Sequence, residues 1–186
     1  MQGLVVAEGE GRPVSGLRVQ ILGPLRLWRN GIELDPGSRQ QALLLALLLA
    51  RVERPTSKNE LIDFIWGDDA PESARNVIHK YVGTVRRLLE PRLPARATGS
   101  YLLPRGDGYL CAAGAETLDL VAFRELVGAA EAALAEERRE VGLDQYVGAL
   151  ALWNGRAGDG LDQGPATLGV FTRMNNEFFG RADPAP

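Results

Sequence analysis

The chain reads as an α+β fold: a small antiparallel sheet, three helices and a closing β-hairpin, followed by a helical half. Three observations lead there. Apolar and polar residues alternate in short runs at residues 17–34 and again around 101–111, the pattern of half-buried strands. Between those runs lie three stretches of helical character, the last with two chemically different faces. From about Thr117 onward the apolar spacing is helical.

Residues 1–16 are acidic, broken by glycine and without the pattern of a secretory signal; they bury too little apolar surface to order themselves. Leu17, Val19 and Ile21 then alternate with Arg18 and Gln20 as a first strand. Gly23-Pro24 turns the chain into Leu25–Trp28, and Asn30-Gly31 leads on to Ile32-Glu33-Leu34. Asn-Gly between short apolar runs is a strong hairpin signal, because both turn positions need positive φ. Ala42–Ala50 is apolar on every side, so this helix is expected to be buried all round. It is too short for the ~20 apolar residues of a membrane span. Ser57-Lys58-Asn59-Glu60 has the form of a capping box and starts a second helix through Leu61, Ile62, Ile65 and Trp66. Pro71 stands near the first turn of the third helix, and Pro91 and Pro94 close it. Tyr101–Leu103 and Tyr109–Cys111 flank Pro104–Gly108, a hairpin with Arg105 near its tip.

In the helical half, Phe123, Leu126, Val127, Ala130 and Leu134 share one helical spacing, and Leu143, Val147 and Leu150 another. Glu140–Gly142 is expected between these two helices. Leu168, Phe171, Met174 and Phe178 predict a third, weaker helix, and residues 183–186 a disordered tail.

The third helix, Ser73–Leu89, organises the functional reading. Ala74, Val77, Ile78, Tyr81, Val82, Val85, Leu88 and Leu89 fall on one arc of roughly 140°, a core-facing stripe. The opposite arc carries Arg75, Asn76, His79, Lys80, Gly83, Thr84, Arg86 and Arg87, without a carboxylate. A solvated helix face ordinarily mixes charge signs, since opposite charges four residues apart stabilise it. A basic, donor-rich face suits a DNA groove instead. The whole chain has a net charge of −3, yet residues 39–105 hold eleven Lys and Arg against seven Asp and Glu. Positive charge therefore gathers around this helix. The order of sheet, three helices and hairpin is that of a winged helix-turn-helix domain, with this helix as recognition helix and the hairpin as wing.

Other classes find little support. The sequence has no phosphate-loop, H-E-x-x-H or G-x-S-x-G pattern. One histidine and one cysteine, Cys111, cannot build a Cys/His zinc site. A single cysteine fits a reducing cytoplasm. Neither an enzyme, a cofactor, a metal nor a membrane is expected.

Several phrases resemble the Streptomyces antibiotic regulatory proteins, which join an OmpR-type winged helix to a bacterial transcriptional activation domain. They are Leu22-Gly23-Pro24-Leu25, the Leu/Ala helix, Leu61 to Gly67, Ala74 to Leu89 and Gly106-Asp107-Gly108-Tyr109-Leu110. Further on, LDLVAFRELVGAA and ALALWNGRA are similar to the opening of the activation domain, with Asn154 where the family has arginine. The resemblance implies a winged-helix domain over residues 17–112 and a shortened activation domain over 117–186. It implies a regulator of antibiotic biosynthetic genes that binds direct repeats in double-stranded promoter DNA as a homodimer and contacts RNA polymerase.

Asn76, Lys80 and Arg87, central on the outward arc, are the first candidates for groove or phosphate contacts, with His79, Gly83 and Thr84 beside them. Arg75 and Arg86 flank the arc, placed for phosphates or for pairing with Glu72 or Glu90. Arg105 is a candidate for the minor groove. Thr56 and Lys58 stand at a helix N-terminus suited to a phosphate. The alternative reading is a protein–protein interaction module, or a truncated antagonist of a longer regulator.

Overall fold

The computed structural model describes residues 16–94, 96–161 and 164–182. The tails expected at residues 1–16 and 183–186 lie outside the described residues, Gly16 excepted. Strands β1 (Leu17–Gln20), β2 (Arg26–Arg29) and β3 (Ile32–Leu34) form an antiparallel sheet in that order. Arg29 pairs with Ile32 across a two-residue turn. Both turn residues, Asn30 and Gly31, have positive φ (51° and 81°), as such a hairpin turn requires.

Helix α1 (Arg39–Ala50) is capped by the Ser38 hydroxyl, which accepts from the Gln41 amide. Every residue from Gln41 to Ala50 is buried. A helix without a polar face needs cover all round, and α1 finds it in the helices and strand that follow. Strand β4 (Thr56–Ser57) leads directly into α2 (Lys58–Trp66), whose capping box is complete: Glu60 N donates to Ser57 Oγ at 3.1 Å and Ser57 N to Glu60 Oε2 at 2.8 Å. That backbone donor, aided by Arg51 at 2.9 Å, holds the Glu60 carboxyl below its ordinary range. After a single 3-10 turn at Gly67–Asp69 comes α3 (Ala74–Leu89). Strands β5 (Leu102–Arg105) and β6 (Gly108–Cys111) form the wing, and β6 pairs on its other edge with β4. The wing turn is thus only Gly106-Asp107, tighter than expected, with Pro104 and Arg105 still in the strand. Cys111 is buried, which pushes its thiol up to about 12 and leaves it neutral and unreactive.

The helical half comprises α4 (Asp119–Ala135), α5 (Arg139–Ala151) and α6 (Pro165–Ala182). The expected connection at Glu140–Gly142 is wrong: those residues lie inside α5, and the chain turns at Glu136–Arg138, with Glu137 at φ 60°. Gly142 is buried because α4 comes close there; a Cβ would meet Leu134 at 2.9 Å and the Ala130 carbonyl at 3.2 Å. It is a packing glycine, not a breaker. Leu143, Val147 and Leu150 do share a face, but it is exposed (63%, 58% and 39%) and not part of the core.

The two halves share one buried core, in which Phe171 and Met174 of α6 join Leu44–Leu49 of α1 and Leu61 of α2. Trp153 stacks on Phe178 with ring centroids 4.0 Å apart. The end of β1 is tied to the start of α4. Val19 N donates to Thr117 O at 2.7 Å, and the Asp119 carboxylate accepts from Ile21 N and Leu22 N at 3.0 Å. Asn154 N closes the same corner on Leu22 O at 2.7 Å.

Burial raises the Asp119 carboxyl to about 6, against the downward pull of the Leu22 and Ile21 amides. The folded chain therefore holds this proton more tightly than the unfolded chain, whose carboxyl titrates near 3.8. Its contribution is most favourable below pH 4 and is lost as pH rises through about 6, at up to about 1.4 kcal/mol per pH unit. In urea unfolding, the stability of the wild type relative to Asp119→Asn should fall between pH 4 and 6 and level off above. A difference independent of pH would contradict this account of the corner.

Candidate nucleic-acid interface

Helix α3 buries Ala74, Ile78, Val82, Val85 and Leu89 against its neighbours α1 and α2. Val77, Tyr81 and Leu88 are half-buried, and the Tyr81 hydroxyl reaches Gln40 Oε1 at 2.9 Å. Arg29 donates to the carbonyls of Leu88 and Leu89, placing a cation where the helix dipole favours one. Glu90 accepts from the Ser100 amide and hydroxyl and so does not pair with Arg86.

On the outward arc, Arg75, Asn76, His79, Lys80 and Arg87 are exposed, with Gly83 and Thr84 half-buried between them. Among the described residues, Asn76 and Lys80 have no side-chain hydrogen bond or ion pair, and Arg87 has only a long contact, 3.4 Å, to Thr84 Oγ1. Thr84 in turn donates to Lys80 O at 3.1 Å. A Cβ on Gly83 would meet only the Arg87 guanidinium at 4.0 Å, so the middle of the arc is shallow.

The wing stands against one end of this arc. Asp107, in its turn, faces two cations: Lys58 Nζ at 3.1 Å and Arg75 Nη1 at 3.3 Å. The Lys58 hydrogen bond, then the Arg75 charge, hold the Asp107 carboxyl below its ordinary range. Arg75 also donates to Asn59 Oδ1 at 2.8 Å, joining α3 to the first turn of α2. Behind them the buried Tyr109 ring lies 5.9 Å from Lys58 Nζ and 5.8 Å from the Arg86 guanidinium carbon. Its hydroxyl is 2.9 Å from His79 Nδ1, and burial pushes its phenol up despite the two cations. Gly108 allows this packing: a Cβ there would sit 2.0 Å from Thr56 O.

Two candidates from the sequence take other positions. Thr56 is fully buried in β4 opposite Tyr109, where its side chain has no access to a phosphate. A two-residue strand, not the helix, begins there, because its backbone completes the wing sheet. Arg86 donates from Nε and Nη2 to Leu102 O at 3.0 and 2.7 Å, fastening α3 to β5 and withdrawing that guanidinium from the open arc. Lys58 is only 16% exposed and bound to Asp107. Arg105 is exposed at the end of β5 and, among the described residues, without a partner. The sequence reading missed Asn59, Asp107 and Tyr109; the last two stand in the wing phrase that carried the resemblance, which was their one signal.

A winged helix whose basic helix face lies open beside its wing, joined to a helical domain, defines a class of bacterial transcriptional regulators. The comparisons agree. Residues 33–110 match the family "Transcriptional regulatory protein, C terminal", and residues 118–181 match "Bacterial transcriptional activator domain". The regulatory protein AfsR of Streptomyces coelicolor is 39% identical over 139 residues, which are 75% of this chain and 13% of AfsR. DnrI of Streptomyces peucetius is 31% identical over 146 residues, 76% of this chain and 53% of DnrI. The solved structure of Mycobacterium tuberculosis EmbR, in complex with a low-affinity phosphopeptide, superimposes with a TM-score of 0.79 at 27% identity, covering 90% of this chain and 44% of EmbR. Both domain matches and these relatives support the Streptomyces antibiotic regulatory protein family, and the chain spans from about an eighth to about half the length of these relatives.

The two adjacent arginines should separate in stability measurements. Arg86→Ala removes a charge-assisted contact to a backbone carbonyl and should cost about 1.5–3 kcal/mol in urea unfolding. Arg87→Ala, on the open arc, should stay within about 0.5 kcal/mol of the wild type. Equal losses would show that Arg87 also serves the fold.

Proposed function

We propose that this chain is a sequence-specific DNA-binding regulator of transcription, with α3 in the major groove of promoter DNA. The observation that carries this reading is the exposed, carboxylate-free arc Asn76–His79–Lys80–Gly83–Thr84–Arg87, flanked by the wing. Asn76, His79 and the cations meet base edges and phosphates, and each good bidentate base contact contributes about 1–3 kcal/mol of discrimination. Arg75 and Lys58, held on Asp107 at the wing turn, fix the wing beside this arc, and Arg105 reaches the neighbouring minor groove. In keeping with the family, the sites are direct repeats occupied by two copies, the controlled genes belong to an antibiotic biosynthetic cluster in a bacterial cytoplasm, and RNA polymerase is the partner. Two copies on one duplex gain affinity by linkage without any new base contact.

A second reading has its own observation. Leu143, Val147 and Leu150 form an exposed apolar stripe on α5, a surface suited to protein contact. Under that reading the chain is an interaction module, or an antagonist of a longer relative, and its α3 face is incidental.

Gel-shift titration of the purified chain against promoter fragments from its own genome separates the two. The first reading predicts shifts on a few fragments, lost in the double variant Lys80→Ala/Arg87→Ala. Affinity should fall steeply with salt, and each lost phosphate contact should lower the slope of log K against log salt by about 1. No shift at low salt would overturn DNA binding by this chain. A shift that the double variant retains would place the interface elsewhere.

A further inference from the structure

We propose that His79 is a specificity-determining residue, set by Tyr109 to offer its Nε2–H to an acceptor atom on a base edge. The inference rests on the reading of α3 as a DNA-reading helix and names what one of its side chains reads.

His79 is the only histidine of the chain. It is exposed on the open arc, yet its ring is not free to turn: Nδ1 lies 2.9 Å from the Tyr109 hydroxyl, and the two rings meet edge to face at 6.2 Å. The other end of that contact is firmly held. Tyr109 is 5% exposed and sits in the central strand of the wing sheet, paired with Thr56 on one side and Pro104 on the other. Its ring also faces Lys58 and Arg86, whose side chains are themselves bound to Asp107 and Leu102 O. The hydroxyl is therefore a fixed point supplied by the wing to the recognition helix.

Its direction follows from elementary chemistry. A phenol is the better proton donor, and an imine-type imidazole nitrogen the better acceptor. The hydroxyl donates to Nδ1, and in neutral imidazole the second nitrogen must then carry the hydrogen. Nε2–H is left as a donor on the exposed side of the ring. In the major groove a donor fits purine N7, guanine O6 or thymine O4, and it is mismatched to the amino groups of adenine and cytosine. Tyr109 acts here as a positioning residue: it never touches DNA but decides which hydrogen-bonding sense His79 presents.

Two measurements test this. In vitro selection from random duplexes would be run with wild type, His79→Ala and Tyr109→Phe, the last keeping the ring and its packing. The wild type should enrich a motif in which one position demands an acceptor. Both variants should relax that same position by about three- to tenfold and leave the rest of the motif intact. In parallel, selective 15N labelling of histidine reports a single pair of ring nitrogens. In neutral His79 the hydrogen should be on Nε2, and Nδ1 should be displaced from the position of an unbonded imine nitrogen, a displacement abolished in Tyr109→Phe. A hydrogen on Nδ1 would overturn the donor assignment. Loss of the position in His79→Ala but not in Tyr109→Phe would overturn the positioning role, and retention in both would overturn the proposal. A wild type that enriches no motif would instead remove the DNA-binding reading, while the nitrogen spectrum still reports the bond.

Discussion

The constraint on which the rest of the structure depends is the absence of any polar face on helix α1. Ten consecutive residues, Gln41–Ala50, are buried, and an apolar helix of this kind is stable only when covered on every side. Its cover comes from α2 and α3, from strand β6 of the wing, and from α6 of the helical half. One helix thus brings together α3, the wing and the helical half. The Asp119 corner, where α4 holds the end of β1, adds a second tie between the two halves. The family's two domains are in this molecule built on one core, so the orientation of α3 relative to the helical half is a property of packing and not of a linker.

Charge at the interface is divided between residues that hold it together and residues left open. Arg86 on Leu102 O, and Lys58 and Arg75 on Asp107, fasten the wing to the helices. Arg29 serves the C-terminus of α3 in the same way. Asn76, Lys80, Arg87 and Arg105 remain exposed without a strong partner among the described residues. The division explains how an acidic chain with net charge −3 presents a basic surface. Cations spent inside the fold set the shape of the face, and a few open ones set its sign.

Helical periodicity made the two faces of α3 legible in the sequence, because a 3.6-residue repeat separates core from surface without knowledge of the partners. The Asn30-Gly31 hairpin and the Ser57/Glu60 capping box were legible for a similar reason: both are local chemistry. The wing network was not. Asp107 meets Lys58 and Arg75 across 49 and 32 residues, and no local pattern records such a meeting. Thr56 was misplaced because a two-residue strand is too short to show any period. Glu140–Gly142 was expected between the two helices, whereas Gly142 lies inside α5, where the approach of α4 requires a residue without a Cβ. The stripe of Leu143, Val147 and Leu150 shows the opposite limit: periodicity reveals that a face is apolar, but not whether anything covers it.

The measurement that tests the central claim most directly is an amide NMR titration of the chain with a duplex carrying its selected site. If α3 is the reading element, perturbations will concentrate on Arg75–Arg87 and on Arg105–Asp107 of the wing, with α5 unaffected. Perturbations confined to the Leu143–Leu150 face, or absent from α3, would contradict the account and assign the function to the helical half.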